Sequence, residues 1–285
     1  MSFFTKPIKF IEAIKRLSGL TLAKVALSTE QWRTVPDEIR NNAFFTAQVS
    51  SADVLSKLRG KLLEHLEQTK RQGAKRGTKL AVGGKAAFVK QMQPWMINNG
   101  FGDPLPKGTP RGERGAIPES KDLASRRRLE LIYDVQVQKS QAYGSLKFST
   151  APEVIDAFPA WRFVRVGSVK EPRPDHRRHE GDVRLKSDDT YWTARNRDSI
   201  GGFGVPYGPW GFNSQMGVED VPRGEAIQKG LLRANSKVSV KAPRFNAATR
   251  ASIKNMDPKI LDKLTKVLGD RAVIKGQDIE LNNEQ

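Results

Sequence analysis

The sequence contains no cysteine, and only three of its 285 residues are histidine. The first absence excludes disulfides, thiolate metal sites and cysteine nucleophiles, and it fits a chain made in a reducing cytoplasm. The second restricts imidazole chemistry to His65, His176 and His179. No apolar run approaches the ~20 residues that a membrane span requires, so no membrane partner is expected. The opening stretch MSFFTKPIKFIEAIKRLSGL sets Lys6, Lys9, Lys15 and Arg16 among Ile8, Ile11, Ile14 and Leu17, with Glu12 between them. It has neither an uninterrupted apolar stretch nor a small-residue cleavage site, and does not read as a signal peptide. It predicts a short basic amphipathic helix, which could lie on a membrane or on DNA, or pack on its own protein. A nucleotide-binding phosphate loop is also missing. Gly84-Lys85 is followed by Ala86, which offers no hydroxyl to magnesium.

Negative charge is in the minority. Forty-nine Lys plus Arg stand against thirty-one Asp plus Glu, a formal net charge of +18. Such a field draws polyanions, and double-stranded DNA bound non-specifically through its phosphates is the first candidate. Charge used only for solubility, or for docking on an acidic protein, stays open beside it. Hydrophobic residues at 38% and charged residues at 28% allow a lean folded core, and five Trp with thirteen Phe argue against disorder. The length suits one large domain or two smaller ones.

Periodicity places several elements. Ser51 precedes a run with Leu55, Leu58, Leu62 and Leu66 on one helical face, widened by Val54 and Leu63. Ser51 is suited to cap it and Asp53 to its dipole. Pro36 before Asp37 and Glu38 reads as a break and a helix start. The stretch KRQGAKRGTKLAVGGKAAF reads either as a mobile loop contacting phosphate through Lys70, Arg71, Lys75 and Arg76 or as a solvated linker. Residues 101–121, with four prolines and four glycines, read as an extended arm or linker. A long helix follows from Asp122, with Leu129, Ile132, Tyr133, Gln136, Tyr143 and Leu146 roughly on one face. Arg126, Arg127 and Arg128 near its start are further candidates for phosphate or an acidic portal surface, or simply a solvated face. AWRFVRVGSV alternates Trp161, Phe163 and Val166 with Arg162 and Arg165, as a half-buried strand does. Asp257 and Gly269 bracket a C-terminal helix over 257–268, and AVIK and DIEL form a hairpin-like pair around Gly276.

The centre of the chain, EPRPDHRRHEGDVRLKSDDTYW, contains Arg173, Pro174, His176, Gly181, Asp188, Asp189, Tyr191 and Trp192, and further on come Pro206, Gly208, Pro209, Trp210 and Gly211. In order and spacing this resembles the phage Mu F-like head-morphogenesis family, whose pattern is an Arg-Pro-x-His box, a glycine, an acidic pair, an aromatic before Trp, then a Pro-Gly-Trp-Gly segment. RRRLELIYDVQVQKSQAYG resembles the helix before that box, and NNAFFTAQVSSADVLSKLRGKLLE resembles a stretch found in one phage subgroup. The resemblance spans roughly residues 27–230. Many members carry a Cys-Arg-Cys segment where this chain has Phe212 to Met216. A metal site made of those cysteines is therefore excluded here.

The resemblance implies a minor head protein of the virion, present in few copies inside the phage head. Its partners would be the portal protein, the packaged DNA, and major capsid or scaffolding proteins. The box itself invites chemistry. Asp175, His176, His179, Glu180, Asp182, Asp188 and Asp189 could hold a metal, or could cleave phosphodiesters by acid–base transfer as a nuclease or toxin-like effector. The plainer reading is structural: Arg173 bridges to Asp188 or Asp189, and His176 bonds backbone at a turn. Phe203, Tyr207, Trp210 and Phe212 could stack bases, but are read as core. The expectation is an α+β protein with no enzymatic activity, cofactor or metal. A helical region over 1–100 and the 101–121 arm precede a core domain over 122–230 with a long helix and a small, mostly antiparallel sheet. Residues 231–285 are expected to form an appendage.

Overall fold

The helix Ala52–Lys75 begins where the sequence places it, with the Ser51 hydroxyl accepting from the Val54 amide at 3.4 Å. In the computed structural model, which describes residues 7–75, 83–101, 123–240 and 249–281, its leucine face is sealed. Leu55, Leu58, Leu62 and Leu66 are fully buried against Phe88, Val89, Met92 and Met96 of the helix Gly83–Asn98. Leu129, Tyr133 and Val137 of the long helix Arg126–Ser149 complete that core. The basic stretch expected to be a loop is largely helical on both sides. Lys70, Arg71 and Lys75 lie on the end of the first helix, because nothing in KRQGAK forces a break as a proline would. Arg76 and the arm lie outside the described residues, apart from Phe101.

Eleven α-helices and three small sheets form among the described residues, a mixed α+β fold. Two compact units divide the chain, one from Ile14–Val137 with Phe245–Gln285, the other from Gln138–Arg244 with Ile8–Ala13. The boundary falls inside the long helix rather than near residue 122.

The first unit has a second core, and it corrects the expectation of an appendage. Val25, Leu27, Val35 and Ile39 pack with Ala251, Ile253, Ile260, Leu264, Leu268 and Ile279. The C-terminal helix Pro258–Leu268 is capped by Asp257, which accepts from the Lys259 amide at 2.7 Å, and its apolar side needs a partner. Residues 23–39 supply it. Their own short helix, Thr29–Arg33, is closed by a reciprocal capping box between Ser28 and Gln31. The strands Ala272–Lys275 and Asp278–Leu281 pair antiparallel as read, and Thr249–Ser252 adds a third strand.

In the second unit the strand Ala160–Arg165 lies between Val183–Leu185 and Met216–Val221, antiparallel to both. Both of its faces are covered. Ala160 packs with Val221 and Ala226 on one side, while Trp161 and Phe163 meet Trp192 on the other. Val166, expected to be on the buried face, lies past the strand's end and is 68% exposed.

Candidate functional site

Pro174 opens a short helix, Pro174–His179, where the sequence suggested a turn. A proline at the first helical position has no amide to lose and its φ suits the helix. Arg173 stays extended in front of it, as a residue before proline prefers. The helix carries both histidines of the box, and they go to different surroundings.

His176 is buried. Its Nε2 donates to the Arg195 carbonyl at 3.0 Å, and its ring stands edge-on to Phe163. Burial pushes it below the ordinary histidine value, against the bond to Arg195. A neutral ring with its donor fixed to backbone is a structural part. His179 is half-buried, with Nδ1 2.9 Å from Asp182 Oδ2 and its ring against the edge of Tyr191. The Tyr191 hydroxyl donates to the same carboxylate oxygen at 2.8 Å. Burial raises Asp182, but its bonds to His179 and Tyr191 outweigh this and hold it below the usual range. Among the described residues no three of His, Asp and Glu are grouped to hold a metal ion.

The other motif residues are mostly knitted together by backbone contacts. The Arg173 guanidinium donates to the Phe212 carbonyl at 2.6 Å, not to Asp188 or Asp189. Gly211, at φ +96°, leaves no room for a Cβ between that guanidinium and the Gly201 carbonyl. Gly181 sits at φ +91° with open space around it, so backbone conformation and not crowding favours glycine there. Asp188 caps the helix Asp189–Ala194 by accepting from the Tyr191 amide at 3.0 Å, and Asp189 is exposed in its first turn. Partial desolvation of its carboxyl, together with the neighbouring Asp188, pushes Asp189 up. Trp192 donates Nε1–H to the Leu185 carbonyl at 2.8 Å and packs on Trp161, Phe163 and Trp210. Phe203, Tyr207 and Trp210 are buried, with Phe212 on Phe203. The aromatic stretch is core.

Two residues of this site carried no legible signal. Asn196 is fully buried and holds the aromatic loop, donating to the Val205 and Tyr207 carbonyls at 3.0 and 2.7 Å and accepting from the Phe203 amide at 3.0 Å. Lys186 is 1% exposed, with its ammonium 3.1 Å from the Ser149 carbonyl and 2.7 Å from Asp220. Burial pushes this ammonium down, against the pull of Asp220.

The arginines named as phosphate contacts divide. Arg126 is exposed and pairs with Glu130 at 2.8 Å. Arg127 is exposed. Arg128 turns inward and donates to the Ala47 carbonyl, which removes it from the phosphate-contact set. The side chains of Lys70, Arg71 and Lys75, and all of Arg76, lie outside the described residues. No helix among the described residues is long and apolar enough to cross a membrane. No family model, no characterised protein and no solved structure matches this chain.

Proposed function

We propose that this chain is a minor head protein of a tailed phage, carried in the virion head beside the portal and the packaged genome, and that it works by binding duplex DNA non-specifically. The observation that carries this reading is the convergence of the motif residues. Arg173 with His176, Trp192 and Trp210 come from three segments of the sequence and are held by hydrogen bonds and ring contacts in the second unit. They behave as a fold signature, as the resemblance to Mu F-like proteins implies. The net charge of +18 supplies the attraction to the polymer. Portal, major capsid and scaffolding proteins are the partners expected alongside DNA.

The test is binding of purified chain to a mixed-sequence duplex over a salt series. Affinity should fall steeply as salt rises, and scrambling the duplex sequence should change nothing. Binding that ignores salt, or prefers one sequence strongly, would remove the reading.

One observation favours a second reading, a nuclease. A half-buried imidazole with Nδ1 held by a carboxylate is how a general base is oriented, and His179 with Asp182 meets that description. The residue to test is therefore His179 and not His176. Plasmid nicking by the purified chain that is lost in His179→Ala would replace binding with catalysis.

A further inference from the structure

Some exposed cations of the described residues are matched by a carboxylate. Arg126 meets Glu130, Arg250 meets Asp278, Lys266 meets Asp262 and Lys275 meets Glu280. The exposed arginines of the histidine box are not, and they stand close together in the sequence. The guanidinium groups of Arg177 and Arg178, both exposed on the helix Pro174–His179, have no hydrogen bond or ion pair among the described residues. Arg184 is also exposed, and its guanidinium lies over the Tyr191 ring at 5.2 Å.

Other arginines gather beside Arg184. Tyr191 has Arg184 and Arg195 over its ring, the second at 5.0 Å, and His179 at its edge. Arg195 in turn stands 3.2 Å from Asp175, whose other oxygen is 3.5 Å from Arg197. Asp175 is one helical turn before Arg178, so the two share a face of the short helix. Around Tyr191 and Asp175 there are thus Arg184, Arg195 and Arg197, with Arg178 on the Asp175 face of the short helix and Asp175 and Asp182 as the neighbouring carboxylates. Glu180, beside them, is taken by Arg165 at 2.8 Å.

We infer that this arginine-rich surface grips nucleic acid, with Arg177, Arg178 and Arg184 contacting the sugar-phosphate backbone of duplex DNA. The inference rests on the DNA-binding reading above and gives it a location that the sequence placed elsewhere. Arginine suits the task, because its planar fork matches phosphate oxygens. Arg184 is already seated on an aromatic ring, so less freedom is lost when phosphate arrives. Asp175 holds the guanidiniums of Arg195 and Arg197, Asp182 is taken by His179 and Tyr191, and Arg177, Arg178 and Arg184 are left without an ion pair among the described residues. Phosphate contact of this kind carries no base readout, as non-specific binding requires.

The experiment is a salt series of duplex binding by the full chain, read by fluorescence anisotropy. R177Q/R178Q/R184Q is compared with wild type and with K254Q/K259Q/K263Q, a control that removes the same charge from three exposed lysines elsewhere. At about 0.9 in slope per phosphate contact, the arginine triple should flatten log affinity against log salt by roughly 2.7, and the control should keep the wild-type slope. R177Q/R178Q alone removes two side chains with no partner to lose and should flatten the slope by roughly 1.8. It decides the matter if the triple variant unfolds. Equal slopes in wild type and R177Q/R178Q, or equal losses in arginine and lysine variants, overturn the site and leave DNA binding standing. A wild type that does not bind duplex overturns both. Polyglutamate competing as well as duplex would overturn phosphate as the ligand.

Discussion

The two units are held together by different means. In the first, the Leu55–Leu66 face packs against two other helices through apolar side chains repeated at helical spacing. In the second, a short three-stranded sheet is covered by segments pinned through single polar residues: Arg173 on Phe212, His176 on Arg195, Asn196 on the aromatic loop, and Lys186 on Ser149 and Asp220. An apolar face tolerates exchange of one side chain for another of similar size. A buried polar link does not, because its partner is left unsatisfied. The first unit is therefore robust and repetitive, and the second depends on a few irreplaceable groups.

The largest expected effect is at Trp192. Trp192→Ala removes a ring packed on four aromatic neighbours and should cost about 3–5 kcal/mol, read as loss of the near-ultraviolet signal and a lowered thermal midpoint. Leu62→Ala in the first unit falls in the range of about 2–5 kcal/mol, and Leu62→Met should restore most of it. Asn196 sharpens the contrast. Asn196→Ala strands two carbonyls and an amide and should cost about 1–3 kcal/mol, and Asn196→Asp should not rescue it, since a carboxylate cannot donate to Val205 and Tyr207. Full rescue by Asp would break the comparison between the units.

Much of the first unit was legible, for reasons this contrast explains. The Leu55–Leu66 face, the Asp257 cap and the Gly276 turn are local patterns, and each declares itself within a few residues. The Ser28–Gln31 capping box was equally local and could have announced the helix Thr29–Arg33. The packing of residues 23–39 on the C-terminal helix depends on sequence-distant pairing that periodicity does not encode. In the second unit Pro174 is a readable sign of a helix start, although the polar residues around it read equally as a turn. Asn196 and Lys186 have no period at all. Their roles exist only once the loop and sheet around them have formed.

Smaller effects concern charge. His176 and His65 are both pushed below the ordinary value of 6.5 by burial. Their contribution to stability is therefore complete above that value and is lost as pH falls through the folded values. Denaturant midpoints should drop on acidification below about pH 6.5, and His176→Gln should make that drop shallower. The smallest effect belongs to Arg126→Ala, where an exposed pair with Glu130 should be worth about 0.3–0.5 kcal/mol in thermal unfolding.

The central claim concerns where this chain ends up, and the direct measurement is its recovery from particles. DNA-filled heads, purified and treated with protease and nuclease from outside, would be opened and analysed by quantitative mass spectrometry. A minor head protein would be present in a few copies per head, protected until opening and released with the genome. Its presence only in the free lysate, with none in sealed heads, would contradict the account.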